Sequence, residues 1–196
     1  MTIRLLPALG RTARRWKNGG GVTRDVAVFP AGASDDDFVW RASIATIAAA
    51  GPFSSFPRVD RTLIVLGGEL VMKIGDTAHR LRPGSAARRF AGEDPVNAAP
   101  VGEACTVLNI MVRRGACSAR VDRWQAARAT SAGTLLFLAA GTTSVTVANR
   151  RFDLSANDVL LLERFADHPL SIEGPVIAAE LFGAAPDQFV SDQFVQ

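Results

Sequence analysis

Apolar and polar positions alternate in short segments along most of the chain. VTRDVAVF (22–29), FVWRASIATI (38–47), RTLIVL (61–66), ELVMKIG (69–75) and ACTVLNIMVRR (104–114) follow one another with turn-forming residues between them. A two-residue period bounded by Gly, Pro, Asp and Asn marks β-strands, and strands at this spacing predict an all-β sandwich or barrel. After Gly115 the pattern pauses over CSARVDRWQAARATSA, then resumes as TLLFLAAG, TSVTVAN, RRFDL, DVLLLE, LSIEG and VIAAELF. The pause divides the chain into residues 1–115 and a smaller unit, 116–196. Within it VDRWQAARA predicts one short helix, and no longer stretch keeps a 3.6-residue apolar period. TLIVLGGELVMKIG and VLLLERFADHPLSI share a strand, turn, strand layout. Two related barrels of the double-stranded β-helix, or jelly-roll, kind would account for the length.

The same alternation places polar side chains where a core is expected. In FVWRASIATI, Phe38, Trp40, Ala42, Ile44 and Thr46 share one face and Val39, Arg41, Ser43, Ala45 and Ile47 the other. Both faces are largely apolar, so Arg41 is expected to be partly enclosed. A buried charge without a partner costs several kcal/mol, and the guanidinium fork fits carboxylate or phosphate. Either a ligand or an internal carboxylate such as Asp60 would meet that need. GPFSSFPRVDRTLIVLGG repeats the theme, with Ser54 and Ser55 leading into a strand where Arg61, Leu63 and Val65 share a face. Asn109 shares its face with Cys105, Val107 and Met111, and needs hydrogen-bond partners from a ligand or a neighbouring strand. Upstream, WKNGGG sets Gly19, Gly20 and Gly21 beside Lys17. It is neither a P-loop nor GxGxxG, but its backbone N–H groups could face an anion, with Lys17 adding charge.

Composition narrows the chemistry. The 196 residues are 48% hydrophobic and carry a net charge of +3, and all of the 22 basic residues except Lys17 and Lys73 are Arg. These arginines are dispersed among acids, which argues against nucleic acid as a partner. His79 and His168 lie far apart and outside any HxH or HxxE arrangement, so neither a metal nor another cofactor is expected. Asp35, Asp36 and Asp37 read as a solvated loop, with too few spaced oxygens for calcium. No GxSxG elbow occurs. Two cysteines, Cys105 and Cys117, are too few for a disulfide scaffold. The apolar stretch near the N-terminus is short for a signal peptide and no run is long enough to span a bilayer, so a cytoplasmic protein without membrane contact is expected.

WKNGGGVTRDV, WRASIA, GPFSSFPRVDRTLIVLGG, FAGEDPV and LNIMVRRG, in that order, resemble the HutD/Ves family from about Leu5 to Phe182. The resemblance implies a bicupin, two cupin-like barrels in one chain, associated with histidine utilisation in a regulatory or metabolite-binding role. Its motif positions fall on Trp16, Lys17, Asn18, Gly19, Gly20 and Gly21, then Trp40, Arg41 and Ser43. They continue on Gly51, Phe53, Ser54, Phe56, Asp60 and Arg61, and end on Asn109 and Arg113. Cupin enzymes usually hold a metal through HxH, a Glu and a later His. The comparable PFSSFPRVDRTLIVLGG lacks these ligands and offers Arg instead. Asp25 stands where the family often has Glu.

Residues and resemblance together predict a metal-free protein that binds a small carboxylate such as urocanate or formylglutamate and limits flux by sensing it. Arg61 and Arg41 are the expected anchors, with Lys17, Asn18, Ser43, Ser54 and Asn109 as polar contacts. Trp16, Gly19, Gly20, Gly21, Trp40, Phe53, Phe56 and Asp60 are expected to shape the pocket. A metal-independent isomerase or hydrolase using Lys17 or Asp60 as acid or base is one alternative. An interaction module with a vestigial pocket is the other. The expected partners are the anionic metabolite and a second copy of the chain.

Overall fold

The structure, a computed structural model, describes residues 1–16 and 18–183, and no helix occurs among them. The N-terminal half supplies β1 (Thr2–Leu6), β2 (Ala13–Arg15), β3 (Gly21–Phe29), β4 (Trp40–Ile47), β5 (Gly51–Pro52), β6 (Val59–Ile74), β7 (Thr77–Leu81), β8 (Arg88–Ala91) and β9 (Val96–Arg113). The C-terminal half supplies β10 (Ser118–Trp124), β11 (Thr134–Ala139), β12 (Thr143–Val147), β13 (Arg150–Leu154), β14 (Val159–Glu163), β15 (Leu170–Glu173) and β16 (Val176–Phe182). The all-β expectation holds. The short helix expected at VDRWQAARA is absent, because its first residues extend β10 in register with β16, pairing Val121 with Ala179 and Trp124 with Val176. Burial of Trp124 at 1% exposure in an apolar cluster outweighs any local helical preference.

Among the described residues, three antiparallel sheets result. An eight-stranded sheet runs β2-β3-β4-β9-β6-β7, with β5 attached to β9 and β8 to β6. A five-stranded sheet runs β1-β14-β11-β16-β10, and a three-stranded sheet runs β13-β12-β15. The sheets are not the closed barrels that were expected: β2 and β7 stay as separate edges of the first sheet. β2 is three exposed residues ending in Arg14 and Arg15, and a short, charged edge resists further pairing. β1 also departs from the division at residue 115, since it pairs with β14 in the C-terminal sheet, Ile3 opposite Leu162.

Segments 61–66 and 69–75 are one bent strand, β6, paired along its length with β9. The register shifts at Gly67, and Gly68 takes a φ of 74° against the Ala104 carbonyl, a left-handed conformation and a close approach that a side chain would resist. The bend lets one pair of strands serve two layers. On one face, Trp40, Ala42, Ile44, Ile64, Leu108 and Ile110 pack against Leu136, Leu138, Val159, Leu161, Ile177 and Ala179 of the five-stranded sheet. Each large aliphatic residue buried there contributes about 1.5–3 kcal/mol, which joins the two halves. A second apolar cluster, including Phe137, Leu160 and Val145, fills the space between the five- and three-stranded sheets. The inner face of the eight-stranded sheet is apolar around Leu63, Val65, Leu70, Met72 and Val107 and again around Phe38, Val59 and Met111. Ser43, Arg61 and Asn109 are buried further along it, and there a cavity opens.

Candidate functional site

The cavity measures about 700 Å³ and opens to solvent past Arg14, Arg15, Asp35 and Asp36. Its wall includes Trp16, Asn18, Ser43, Phe53, Ser54, Phe56, Arg61 and Asn109, which brings together eight of the residues singled out from sequence. Strand register explains the convergence. Ser43 on β4 faces Asn109 on β9, Asn109 faces Leu63 on β6, and Arg61 lies two residues before Leu63. Residues two apart on a strand share a face, so guanidinium, carboxamide and hydroxyl line one side of the cavity.

Arg61 is 7% exposed. Its guanidinium carbon lies 5.0 Å from the Phe53 ring centroid, 5.0 Å from that of Phe90 and 5.5 Å from that of Phe56. Nη1 donates to the Ser54 carbonyl at 3.2 Å, while Nε is buried with no partner among the described residues. No carboxylate pairs with Arg61 among the described residues. Burial, with the nearby charge of Arg41 as a smaller cause, pushes its pKa down to about 10, so it remains a cation at neutral pH. Aromatic faces attract the cation but give its N–H groups no acceptor. The arrangement is a desolvated positive charge open to a cavity, which suits a carboxylate.

Arg41 does not share that role. It is equally buried, yet its Nε and Nη2 donate to Asp25 Oδ1 at 2.8 and 2.6 Å, and its Nη1 donates to Asp35 Oδ1 at 2.5 Å. Arg14 adds looser pairs with Asp25 and Asp35, at 3.9 and 3.7 Å. A β-bulge between Asp25 and Ala27 interrupts β3 where Asp25 meets Arg41. The expected internal carboxylate therefore exists, but it is Asp25 and Asp35 rather than Asp60. Asp60 leaves the cavity altogether, and Arg114 Nε holds it at 2.8 Å. Asp35, Asp36 and Asp37 form the exposed turn expected of them, and Asp35 and Asp36 also line the cavity. Arg113 fixes this segment by donating from Nε to the Phe38 carbonyl at 2.9 Å and from Nη2 to the Asp36 carbonyl at 2.7 Å.

Trp40 faces the other way, into the core between the halves, and stacks with Phe29 at 6.2 Å between centroids. The glycines are likewise structural, and Gly51 pairs with Ala98 at the edge of β9. Gly19 N–H donates to the Trp16 carbonyl and Trp16 N–H to the Gly21 carbonyl, both at 3.0 Å. Gly20 N–H donates to Asn18 Oδ1 at 3.0 Å, and the Gly20 carbonyl accepts from Ala48 and Ala49. A Cβ on Gly21 would lie 2.5 Å from the Thr46 carbonyl oxygen and 3.2 Å from the Trp16 ring. The glycines thus let Trp16 fold over the backbone onto the cavity wall, where it meets Phe53 edge-on and bonds Thr23 Oγ1 through Nε1. Lys17 lies outside the described residues.

Sequence reasoning missed Phe90, Arg14 and Arg15 as parts of this site. Phe90 sits opposite Arg61 through the β6 and β8 pairing, and its presence in the FAGEDPV motif was the available signal. Cys105 lies deep in the inner cluster, where burial raises its thiol pKa to about 11 and removes it as a nucleophile. Among the described residues, no group of three or more His, Cys, Asp or Glu is arranged to hold a metal, and no helix is long and apolar enough to cross a membrane.

A family model described as HutD matches residues 10–179. The chain belongs to the HutD family. Protein Ves from Citrobacter koseri is 44% identical over 109 residues, covering 54% of this chain and 56% of that protein, so the chain spans about half the length of the curated relatives it matches. The structure of HutD from Pseudomonas fluorescens SBW25 superposes with a TM-score of 0.82 at 26% identity, covering 92% of this chain and 98% of that one. A Cupin 2 conserved barrel domain protein from Leptotrichia buccalis superposes with a TM-score of 0.54 at 10% identity, over 91% of this chain and 99% of that one. At that identity the likeness is one of fold, and it makes the HutD-family chain cupin-like.

Proposed function

We propose that this HutD-family chain binds a small carboxylate in the cavity, with Arg61 as its anchor. The observation that carries the reading is a guanidinium only 7% exposed, ringed by three phenyl groups and lacking a carboxylate partner among the described residues. Natural proteins pair buried charges or leave them to a ligand, and Arg41, paired with Asp25 and Asp35, illustrates the first case on β4, across β9 from Arg61. Asn18, Ser43, Ser54 and Asn109 supply the polar contacts around the anchor. In histidine utilisation such a protein would hold an intermediate such as urocanate or formylglutamate and limit flux without converting it. The two halves, near 1–115 and 116–196, are read as a bicupin with the ligand cavity in the first. A turnover role using Asp60 finds no support, because that carboxylate faces Arg114 outside the cavity.

Calorimetric titration with urocanate, formylglutamate, histidine and glutamate tests this, with the recovered ligand analysed afterwards. Saturable binding by the wild type, absent in Arg61→Ala, with ligand recovered unchanged, is the expected result. Binding that survives Arg61→Ala, or binding of none of the four, overturns it, and a converted ligand replaces the sensor by an enzyme.

A further inference from the structure

The five-stranded sheet has an open edge at β1, whose far side pairs with nothing among the described residues. Every second residue of such a strand turns its N–H and C=O away from the sheet, a template for another strand. Other edges are guarded by charge. β2 carries Arg14 and Arg15, and β13 carries Arg150, Arg151 and Asp153. β10 carries Arg120, Asp122 and Arg123, the last of which donates from Nη2 to the Val65 carbonyl at 3.1 Å. β1 reads TIRLL, with Arg4 as its one charge, and Glu163 of the adjacent strand holds Arg4 at 3.3 Å. On or beside β1 lie Met1, Leu5 and Leu9, three of the four large apolar side chains exposed among the described residues, Leu5 at 44%.

The faces of the strand decide what fits it. Ile3 packs against the cluster between the five- and three-stranded sheets, and Leu6 against the cluster joining the halves. Alternation therefore places Met1, Ile3 and Leu5 on one face and Thr2, Arg4 and Leu6 on the other. Cross-strand partners share a face, so a second β1 laid antiparallel keeps the apolar row intact only by pairing odd-numbered residues with odd. A twofold axis at Arg4 would oppose two guanidiniums, and one at Leu5 would set Pro7, which has no N–H, against Ile3. An axis at Ile3 avoids both. It sets Leu5 against the second copy's Met1, Ile3 against Ile3, and Arg4 against Thr2. Charge then complements across the axis. Thr2 faces Glu163 within the chain, so the second copy's Arg4, Thr2 and Glu163 form one row. The Arg and Glu Cα atoms are about 10 Å apart in that row, a span their long side chains close over a small threonine.

We propose that β1 is a homodimer edge: two copies pair antiparallel through β1 about a twofold at Ile3, joining their five-stranded sheets into one. Such an isologous contact closes on itself and uses up the open edge. It is independent of what the cavity binds. The contact is small, and small contacts associate weakly, so a monomer–dimer equilibrium in the micromolar range is expected.

Sedimentation velocity from about 1 μM to 1 mM covers that range. Wild type is expected to pass from monomer to dimer across it. Leu5→Lys, which sets a charge against the second copy's Met1, is expected to weaken the dimer at least about tenfold. Arg4→Glu, which gathers carboxylates on both sides of the axis, is expected to do the same, and adding Glu163→Arg to restore the dimer. Wild type that stays monomeric at every concentration overturns the proposal. So does a dimer indifferent to both Leu5→Lys and Arg4→Glu, which puts the contact elsewhere on the surface. A charge-exchanged double variant that melts like wild type yet stays monomeric overturns the register at Ile3. Should Leu5→Lys not fold, the charge exchange decides.

Discussion

Replacing Arg61 by Met separates a ligand anchor from a structural cation. Burial pushes the Arg61 pKa down to about 10, and at about 1.4 kcal/mol per tenfold change in proton affinity the cost of keeping this cation inside is roughly 3 kcal/mol. Opposing it are three ring contacts at 5.0, 5.5 and 5.0 Å, each worth about 0.5–1 kcal/mol. One bond to the Ser54 carbonyl adds about 1 kcal/mol. The two sides nearly cancel. Met keeps the aliphatic bulk and its sulfur packs well on aromatic rings, so Arg61→Met should leave the unliganded protein within about 1 kcal/mol of wild type. For a chain of this size that is a melting shift of less than about 4 °C. Urea denaturation without added carboxylate gives the first number. Repeating it at a hundredfold excess of urocanate over its Kd should stabilise wild type by about 2.7 kcal/mol and the variant not at all. A loss of about 3–5 kcal/mol in the unliganded variant is what breaking a buried ion pair costs, and would refute the claim that Arg61 lacks an internal counter-ion.

Arg41→Met should behave differently: removing the partner of Asp25 and Asp35, both half exposed, is expected to cost about 1–3 kcal/mol by urea denaturation, less than for a fully buried pair because the carboxylates can rehydrate. Carboxylate affinity should stay flat between about pH 6 and 9 and fall as pH rises through about 10, because binding needs the Arg61 cation. The unliganded fold carries the opposite sign from this group, since the penalty of the buried cation is present below about 10 and is relieved above it. Gly21→Ala must push against the Thr46 carbonyl and the Trp16 ring; a loss of about 1–3 kcal/mol by thermal melting, with altered Trp fluorescence, is expected. Gly19→Ala meets no atom within 4 Å and only has to adopt a φ of 71°, so about 1 kcal/mol is expected.

Most strands were legible because apolar alternation reports burial directly. DVLLLE became β14 and VIAAELF became β16, each entirely or nearly entirely buried. The same alternation correctly set Trp40 and Arg41 on opposite faces, and only the resemblance drew Trp40 into the pocket. Closure of the sheets was not legible, since it depends on whether edge strands such as β2 find partners far along the chain. Nor was the allocation of β1 to the C-terminal sheet, which is a pairing across more than 150 positions. At the site, alternation located Arg61, Ser43 and Asn109, whose strands are adjacent and regular. It could not distinguish Arg41 from Arg61, because both read as arginines on a buried face. What separates them is a bulge in β3 and a loop that delivers Asp35, tertiary details without a local pattern. Asp60 was misplaced because the resemblance put it among the pocket positions together with Arg61, while strand alternation sends neighbouring residues to opposite faces.

The most direct test of the central claim is a crystal structure of the protein with bound urocanate. The account predicts the carboxylate within hydrogen-bond distance of the Arg61 guanidinium, enclosed by Phe53, Phe56 and Phe90, with the Arg41 pairs to Asp25 and Asp35 unchanged. A carboxylate seated on Arg14 or Arg15 at the mouth, with Arg61 untouched, would contradict it.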